Sequence, residues 1–120
     1  MPEMLDDMRQ TLVIAKEAGI RDDQIILDPG VGFGKTYEHN LIAINRLEEL
    51  CGLGYPVLLA TSRKSVIGTA LDLPADQRVE GTLVTTVMGV QKGAAFVRVH
   101  DIKENYRAIQ MTKAILREGR

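Results

Sequence analysis

Apolar residues fall into two periods along this chain. Met4, Leu5, Met8, Leu12, Ala15 and Ala18 recur at intervals of three and four, which predicts a helix over 2–18 that Gly19 is suited to end. After a polar turn at 20–24, Ile25-Ile26-Leu27 is an unbroken apolar run, as in strands covered on both faces. Leu41, Ile42, Ile44, Leu47 and Leu50 return to helical spacing over 39–50, and Gly52 and Gly54 close that helix. Val57-Leu58-Leu59-Ala60 is a second apolar strand, after which Val66, Ile67 and Ala70 begin another helical turn. A Pro-containing loop at 72–77 leads into a helix reaching Lys92, so rich in Val and Thr that burial must hold it. Residues 95–100 read as a third strand, and Asp101 is the expected N-cap of a helix over 102–116. Ile102, Tyr106, Ile109 and Leu116 share one face of that helix, interrupted by Lys113, with Met111 and Ile115 to one side.

Strands that alternate with helices imply right-handed crossovers and a parallel sheet. Three strands alone would leave an unpaired edge on either side. Either another chain completes the sheet or these residues are part of a larger barrel. A helix precedes the first strand, which favours the barrel. The expected fold is α/β, the C-terminal portion of a (β/α)₈ TIM barrel, with 1–120 forming a single partial domain.

Composition narrows the partners. Of the 120 residues, 45% are hydrophobic and 26% charged, enough apolar material for a buried core. A net charge of -1, few aromatics and no Trp argue against nucleic acid and against an anionic membrane surface. No apolar run approaches the ~20 residues that cross a bilayer, and no signal-peptide core is seen, so the expected location is cytoplasmic. Cys51 lies in a helical apolar pattern and reads as a packed thiol. His39, in a polar helix start, is given no role.

Candidate chemistry gathers where apolar runs stop. Leu27-Asp28-Pro29-Gly30-Val31-Gly32-Phe33-Gly34-Lys35 sets a carboxylate at a strand tip, followed by glycines that allow positive φ and close approach to a ligand. Neither phosphate-loop pattern fits. The triphosphate loop needs Gly where Pro29 stands, and the dinucleotide fingerprint needs Gly where Lys35 stands. A carboxylate accepts two hydrogen bonds side by side, so Asp28 suits an amidine-like edge such as an aminopyrimidine ring. Ser62-Arg63-Lys64-Ser65 precedes a helix and combines two hydroxyls with two cations, an anion-favouring set. Strand alternation puts Arg98 and His100 on one face, a guanidinium and an imidazole suited to phosphate or pyrophosphate. The bland alternatives are a plain strand-to-helix turn, solvated surface cations, and a histidine bonded to Asp101.

Taken together and in this order, Asp28-Pro-Gly-x-Gly-Phe-Gly-Lys35, Thr61-Ser-Arg-Lys-Ser65 and Arg98-Val-His-Asp101 resemble the dihydropteroate synthases. The resemblance runs over essentially the whole chain and covers about the C-terminal half of the family's length. It implies a (β/α)₈ barrel that joins 6-hydroxymethyl-7,8-dihydropterin diphosphate to p-aminobenzoate and releases pyrophosphate, in a folate-forming step inhibited by sulfonamides. By position, Asp28 resembles the carboxylate that bonds the pterin ring, Lys64 the lysine on the pterin and Arg98 the arginine flanking it. Phe33 resembles the aromatic near p-aminobenzoate, and Ser62 the site for its carboxylate, with Arg63 at the same mouth. His100 with Arg98 resembles the pyrophosphate subsite. Gly32 and Lys35 of the glycine loop join the expected substrate contacts, and Lys64, Arg98 and His100 form the expected catalytic set.

The implied mechanism needs no strong base. If the C–O bond breaks first, the arylamine attacks a pterin-stabilised cation, and stabilising the leaving group does the catalysis. The resemblance also implies Mg²⁺ on the pyrophosphate and a homodimer formed through helices of this half. The family's first strands, with an asparagine and two mobile loops, are not in the chain, so it is expected to show little synthase activity alone. Two alternatives remain: another pterin-binding barrel of the methyltetrahydrofolate type, which has no use for the cationic subsites, and an inactive half-barrel that only self-associates.

Overall fold

The computed structural model describes residues 1–118. Helix α1 spans Pro2–Glu17, α2 Tyr37–Asn45, α3 Leu47–Cys51, α4 Ser65–Leu71, α5 Val79–Lys92 and α6 Ile102–Glu118; β1 is Leu58–Leu59 and β2 Phe96–Val97. β1 and β2 pair in parallel, Leu58 with Phe96 and Leu59 with Val97. On the other side of β1, Leu27 forms a parallel bridge to Val57. The expected parallel order is therefore present, with the Leu27 segment, β1 and β2 side by side.

Regular pairing is shorter than the apolar runs suggest. The first segment pairs only at Leu27, through Leu27 N to Pro56 O and Leu58 N to Leu27 O, both 2.8 Å. Past β2 the ladder makes one more bond, Arg98 N to Leu59 O at 3.1 Å. The next amide on that side, His100 N, instead donates to the Ser62 hydroxyl at 3.0 Å. A side chain has replaced the neighbouring backbone, and the sheet opens into the site.

Leu27, Val57 and Leu59 turn toward the helices and pack with Val31, Leu47, Leu50, Val66 and Ile67. Full burial of Leu47 and Leu50 contributes about 1.5–3 kcal/mol per side chain. The alternate residues are not covered: Ile26 is 55% and Phe96 48% exposed. Continuous apolar runs predict two covered faces, but helices cover only one here. α5 lies close to its neighbours because Gly81 faces Ile67 and Gly89 faces Leu59, where a Cβ would meet their side chains at 2.3 and 2.9 Å.

Two helices differ from the sequence expectation. The helix over 39–50 starts earlier, because the Thr36 hydroxyl accepts from His39 N at 3.1 Å and caps it. It also divides at Arg46, whose φ of -111° and ψ of 26° leave the helical region, and whose guanidinium pairs with Glu49. In α6, Ile102 and Tyr106 are 71% and 62% exposed, while Asn105 and Thr112 are buried. The buried face is polar because its partners are polar: Thr86 donates to Asn105 Oδ1 at 2.6 Å, and Asn105 Nδ2 donates to Asp101 O at 2.8 Å. The Asp101 carboxylate bonds Arg63 instead. Cys51 packs half-buried against the core, and burial raises its thiol pKa. No helix among the described residues is long and apolar enough to cross a membrane.

Candidate functional site

Asp28, Phe33, Ala60, Ser62, Lys64, Arg98, Val99 and His100 line one cavity of about 450 Å³ at the C-terminal ends of the parallel segments. Three separated stretches of sequence meet there. Parallel pairing causes this, since every segment delivers its following loop to the same rim.

The first loop is built on left-handed glycines. Gly30, Gly32 and Gly34 have φ of 69°, 88° and 65°, values that cost a side chain dearly and glycine little. The Asp28 carboxylate accepts from Gly30 N through Oδ1 at 2.7 Å, which starts the turn. Asn40 on α2 accepts from Gly32 N at 3.1 Å. Lys64 completes the frame from the second loop, donating to Val31 O at 2.7 Å, with its ammonium 4.9 Å from the centroid of the Phe33 ring. Phe33 itself is 74% exposed, so this cation–π contact fixes an otherwise open aromatic at the rim. Burial holds the Lys64 ammonium below the usual lysine range; Asp28 opposes that shift and Arg98 adds to it.

The second loop turns at Arg63. Lys64 N donates to Thr61 O at 3.0 Å, closing a turn whose third residue, Arg63, has φ 58°. Glycine or asparagine is usual at such a position, and a side chain there costs about 1–2 kcal/mol. The Arg63 guanidinium points to Asp101, at 3.2 Å. Beneath the turn, the Thr61 and Thr85 hydroxyls meet at 2.5 Å. Ser62 is buried, and its hydroxyl is 2.7 Å from His100 Nδ1.

Of the residues expected from sequence, Asp28, Phe33, Ser62, Lys64, Arg98 and His100 share the cavity. Gly32 lies behind Lys64, where an added Cβ would sit 3.4 Å from Lys64 Cδ. Arg63 is at the rim but pairs with Asp101. Lys35 is not brought to this cavity. Its ammonium is 3.4 Å from Gly30 O, and it lines a separate small cleft with Met1, Glu3 and His39, because the left-handed turn at Gly34 and the Thr36 cap carry the chain away. The pattern also missed Asn40, although an asparagine on the buried face of a helix is itself a signal.

Comparison with known proteins places this geometry. A family model described as pterin binding enzyme matches residues 1–100. The chain is 58% identical over 118 residues to a dihydropteroate synthase of Clostridium beijerinckii, covering 98% of this chain and 44% of that one. It is 54% identical to the Bacillus subtilis dihydropteroate synthase, covering 99% and 42%. Among solved structures, the dihydropteroate synthase of Clostridium difficile determined with pteroic acid superposes with a TM-score of 0.92 at 49% identity, over 96% of this chain and 44% of that one. The Yersinia pestis dihydropteroate synthase in complex with a sulfonamide drug gives 0.94 at 35% identity, over 100% and 43%. The chain thus spans less than half the length of these relatives. Their fold is the TIM barrel, and the parallel segments here are a portion of one. On the match over 1–100 and the shared fold, this chain belongs to the family of pterin binding enzymes.

Proposed function

We propose that this chain supplies the pterin- and p-aminobenzoate-binding part of a dihydropteroate synthase, which joins 6-hydroxymethyl-7,8-dihydropterin diphosphate to p-aminobenzoate and releases pyrophosphate. The observation that carries this reading is the convergence of Asp28, Lys64 and Arg98, from three strand ends, on one cavity. Asp28 accepts two parallel hydrogen bonds from the aminopyrimidine edge of the pterin. Lys64 and Arg98 flank the ring, and Arg98 with His100 receives the diphosphate. The C–O bond breaks with its electron pair leaving on pyrophosphate, and the arylamine nitrogen then forms the C–N bond and loses a proton to solvent. These side chains stabilise developing negative charge and hold the rings together. Phe33 covers the arylamine side, and sulfonamides compete for the same place.

Mg²⁺, where it takes part, would be held mainly by the diphosphate oxygens, as hard cations are, with few ligands from this chain. Among the described residues, no group of three or more His, Cys, Asp or Glu side chains converges to hold a metal, and Asp28 is the only carboxylate lining the cavity.

A homodimer is part of the reading. α2, α4 and α5 enclose an apolar cleft of about 500 Å³ that exposes Leu41, Ile42, Leu71 and Val84, and a second copy would cover it.

Titration of the 120-residue chain with pteroic acid, followed by calorimetry, tests the reading. Saturable one-site binding that Asp28→Asn weakens supports it. Absence of binding, or equal binding by Asp28→Asn, overturns it.

A further inference from the structure

Arg78 is not among the residues that line the cavity, and two of its guanidinium nitrogens donate to backbone carbonyls. Nε donates to Leu73 O at 2.8 Å and a terminal nitrogen donates to Arg63 O, also at 2.8 Å. It forms no ion pair among the described residues. The fork reaches Arg63 by crossing α4 at Gly68, where an added Cβ would lie 2.3–2.8 Å from the guanidinium atoms. From the first turn of α5, Thr82 Oγ1 accepts from Arg63 N at 3.4 Å. Both backbone groups of the left-handed residue are therefore held from α5 and its leading residue. The two residues on either side of it, Ser62 and Lys64, line the cavity.

We propose that Arg78 is a positioning residue: by gripping the Arg63 carbonyl it keeps the Thr61–Lys64 turn in its left-handed form, and so aims Lys64 at Val31 and Phe33. An arginine suits this work because its planar fork reaches two carbonyls at fixed spacing, which a lysine ammonium does not reproduce. Arg63 is not a residue that adopts φ 58° unaided. The ligand side of the inference rests on the pterin-site reading; the backbone side does not.

Arg78→Met keeps the aliphatic stem over Gly68 and removes the donors. The expected result is about tenfold faster amide exchange at Lys64, whose N–H closes the turn, with exchange in α1 unchanged. Pteroic acid affinity falls by about tenfold in parallel, since misplacement alone weakens a preorganised site. Arg78→Lys gives a smaller change and keeps the test available should Arg78→Met fail to fold. The decisive comparison uses Arg63→Gly as a second background. Glycine holds positive φ without help, so Arg78→Met there should change Lys64 exchange by no more than about twofold relative to Arg63→Gly alone. Unchanged Lys64 exchange in Arg78→Met, or an equal loss in both backgrounds, overturns the proposal. If the parent chain binds no pteroic acid, the functional reading fails while the exchange comparison still decides this one.

Discussion

The Ser62 hydroxyl is the hinge between the second and third loops: it accepts from His100 N at 3.0 Å and lies 2.7 Å from His100 Nδ1. With the backbone amide donating to that oxygen, the hydroxyl proton is free for Nδ1. Where the hydroxyl donates to Nδ1, the ring proton lies on Nε2, the nitrogen left for a ligand. One serine holds His100 by both its backbone amide and its ring.

Ser62→Ala removes both bonds. It should destabilise the chain by about 1–2 kcal/mol and loosen the loop at 98–101. Urea denaturation measures the first effect. Nitrogen NMR of the ring should show the Nε2–H tautomer in the parent chain and a mixture in the variant; a parent ring protonated on Nδ1 would refute the assignment.

Asp28 is exposed, so Asp28→Asn should shift stability by no more than about 0.5 kcal/mol. Its Oδ1 bond to Gly30 N can be kept by the amide oxygen. Ligand binding is different, because the amide offers a donor where the pterin also donates. Loss of a charge-assisted bond of about 1.5–3 kcal/mol weakens pteroic acid roughly 10- to 100-fold, measured by calorimetry at constant ionic strength.

The three loops were readable in the sequence because each set charged or hydroxyl groups directly after an apolar run, and parallel order brings such points together. Asp28, Lys64 and Arg98 needed no more than that to be grouped. Spacing along a loop does not reveal the turn at Gly34, which leaves Lys35 lining a separate cleft. Arg63 hid its left-handed backbone, since positive φ is read from glycine and no glycine stands there. α6 failed for another reason. Pattern reading assumes apolar residues face inward, whereas Asn105 is buried against the Thr86 hydroxyl and Thr112 is buried with its hydroxyl turned back to Ala108 O, while Ile102 and Tyr106 face out. Strand length was overestimated because the Ser62 side chain takes the place of backbone at His100.

Lys64 should titrate below the ordinary lysine value of 10.5, because burial disfavours its ammonium. Its neighbours give the signs of two variants. Asp28→Asn removes an opposing charge effect and should lower the Lys64 pKa further; Arg98→Met removes a like charge and should raise it. The folded-state pKa lies below the unfolded one, so between them the unfolded chain binds more protons and stability rises with pH. Lys64→Met should remove that rise in the alkaline window below about 10.5. Carbon NMR of the lysine Cε resonances, with urea melts across the same range, checks both. Movement of the Lys64 pKa in the same direction in both variants would refute the electrostatic account.

Gly81→Ala tests the packing that presents the second loop. A Cβ at Gly81 would lie 2.3 Å from Ile67 Cγ2 and 3.0 Å from Leu71 Cδ1. Ile67 is buried in the core and cannot simply swing out, so α4 and α5 must separate. Overpacking of this kind costs about 1–3 kcal/mol, which outweighs the ~0.8–1.0 kcal/mol that alanine gains over glycine in a helix interior. α4 follows the Thr61–Lys64 turn directly, and α5 carries Thr82 and Thr85 beneath it. Separation of the two helices should therefore reach Lys64 as well as the global melt. The expected outcome is a lower urea midpoint together with weaker cation–π contact at Phe33, seen as a shift of its ring protons. A Gly81→Ala chain as stable as its parent would mean that the α4–α5 spacing is not set by this glycine.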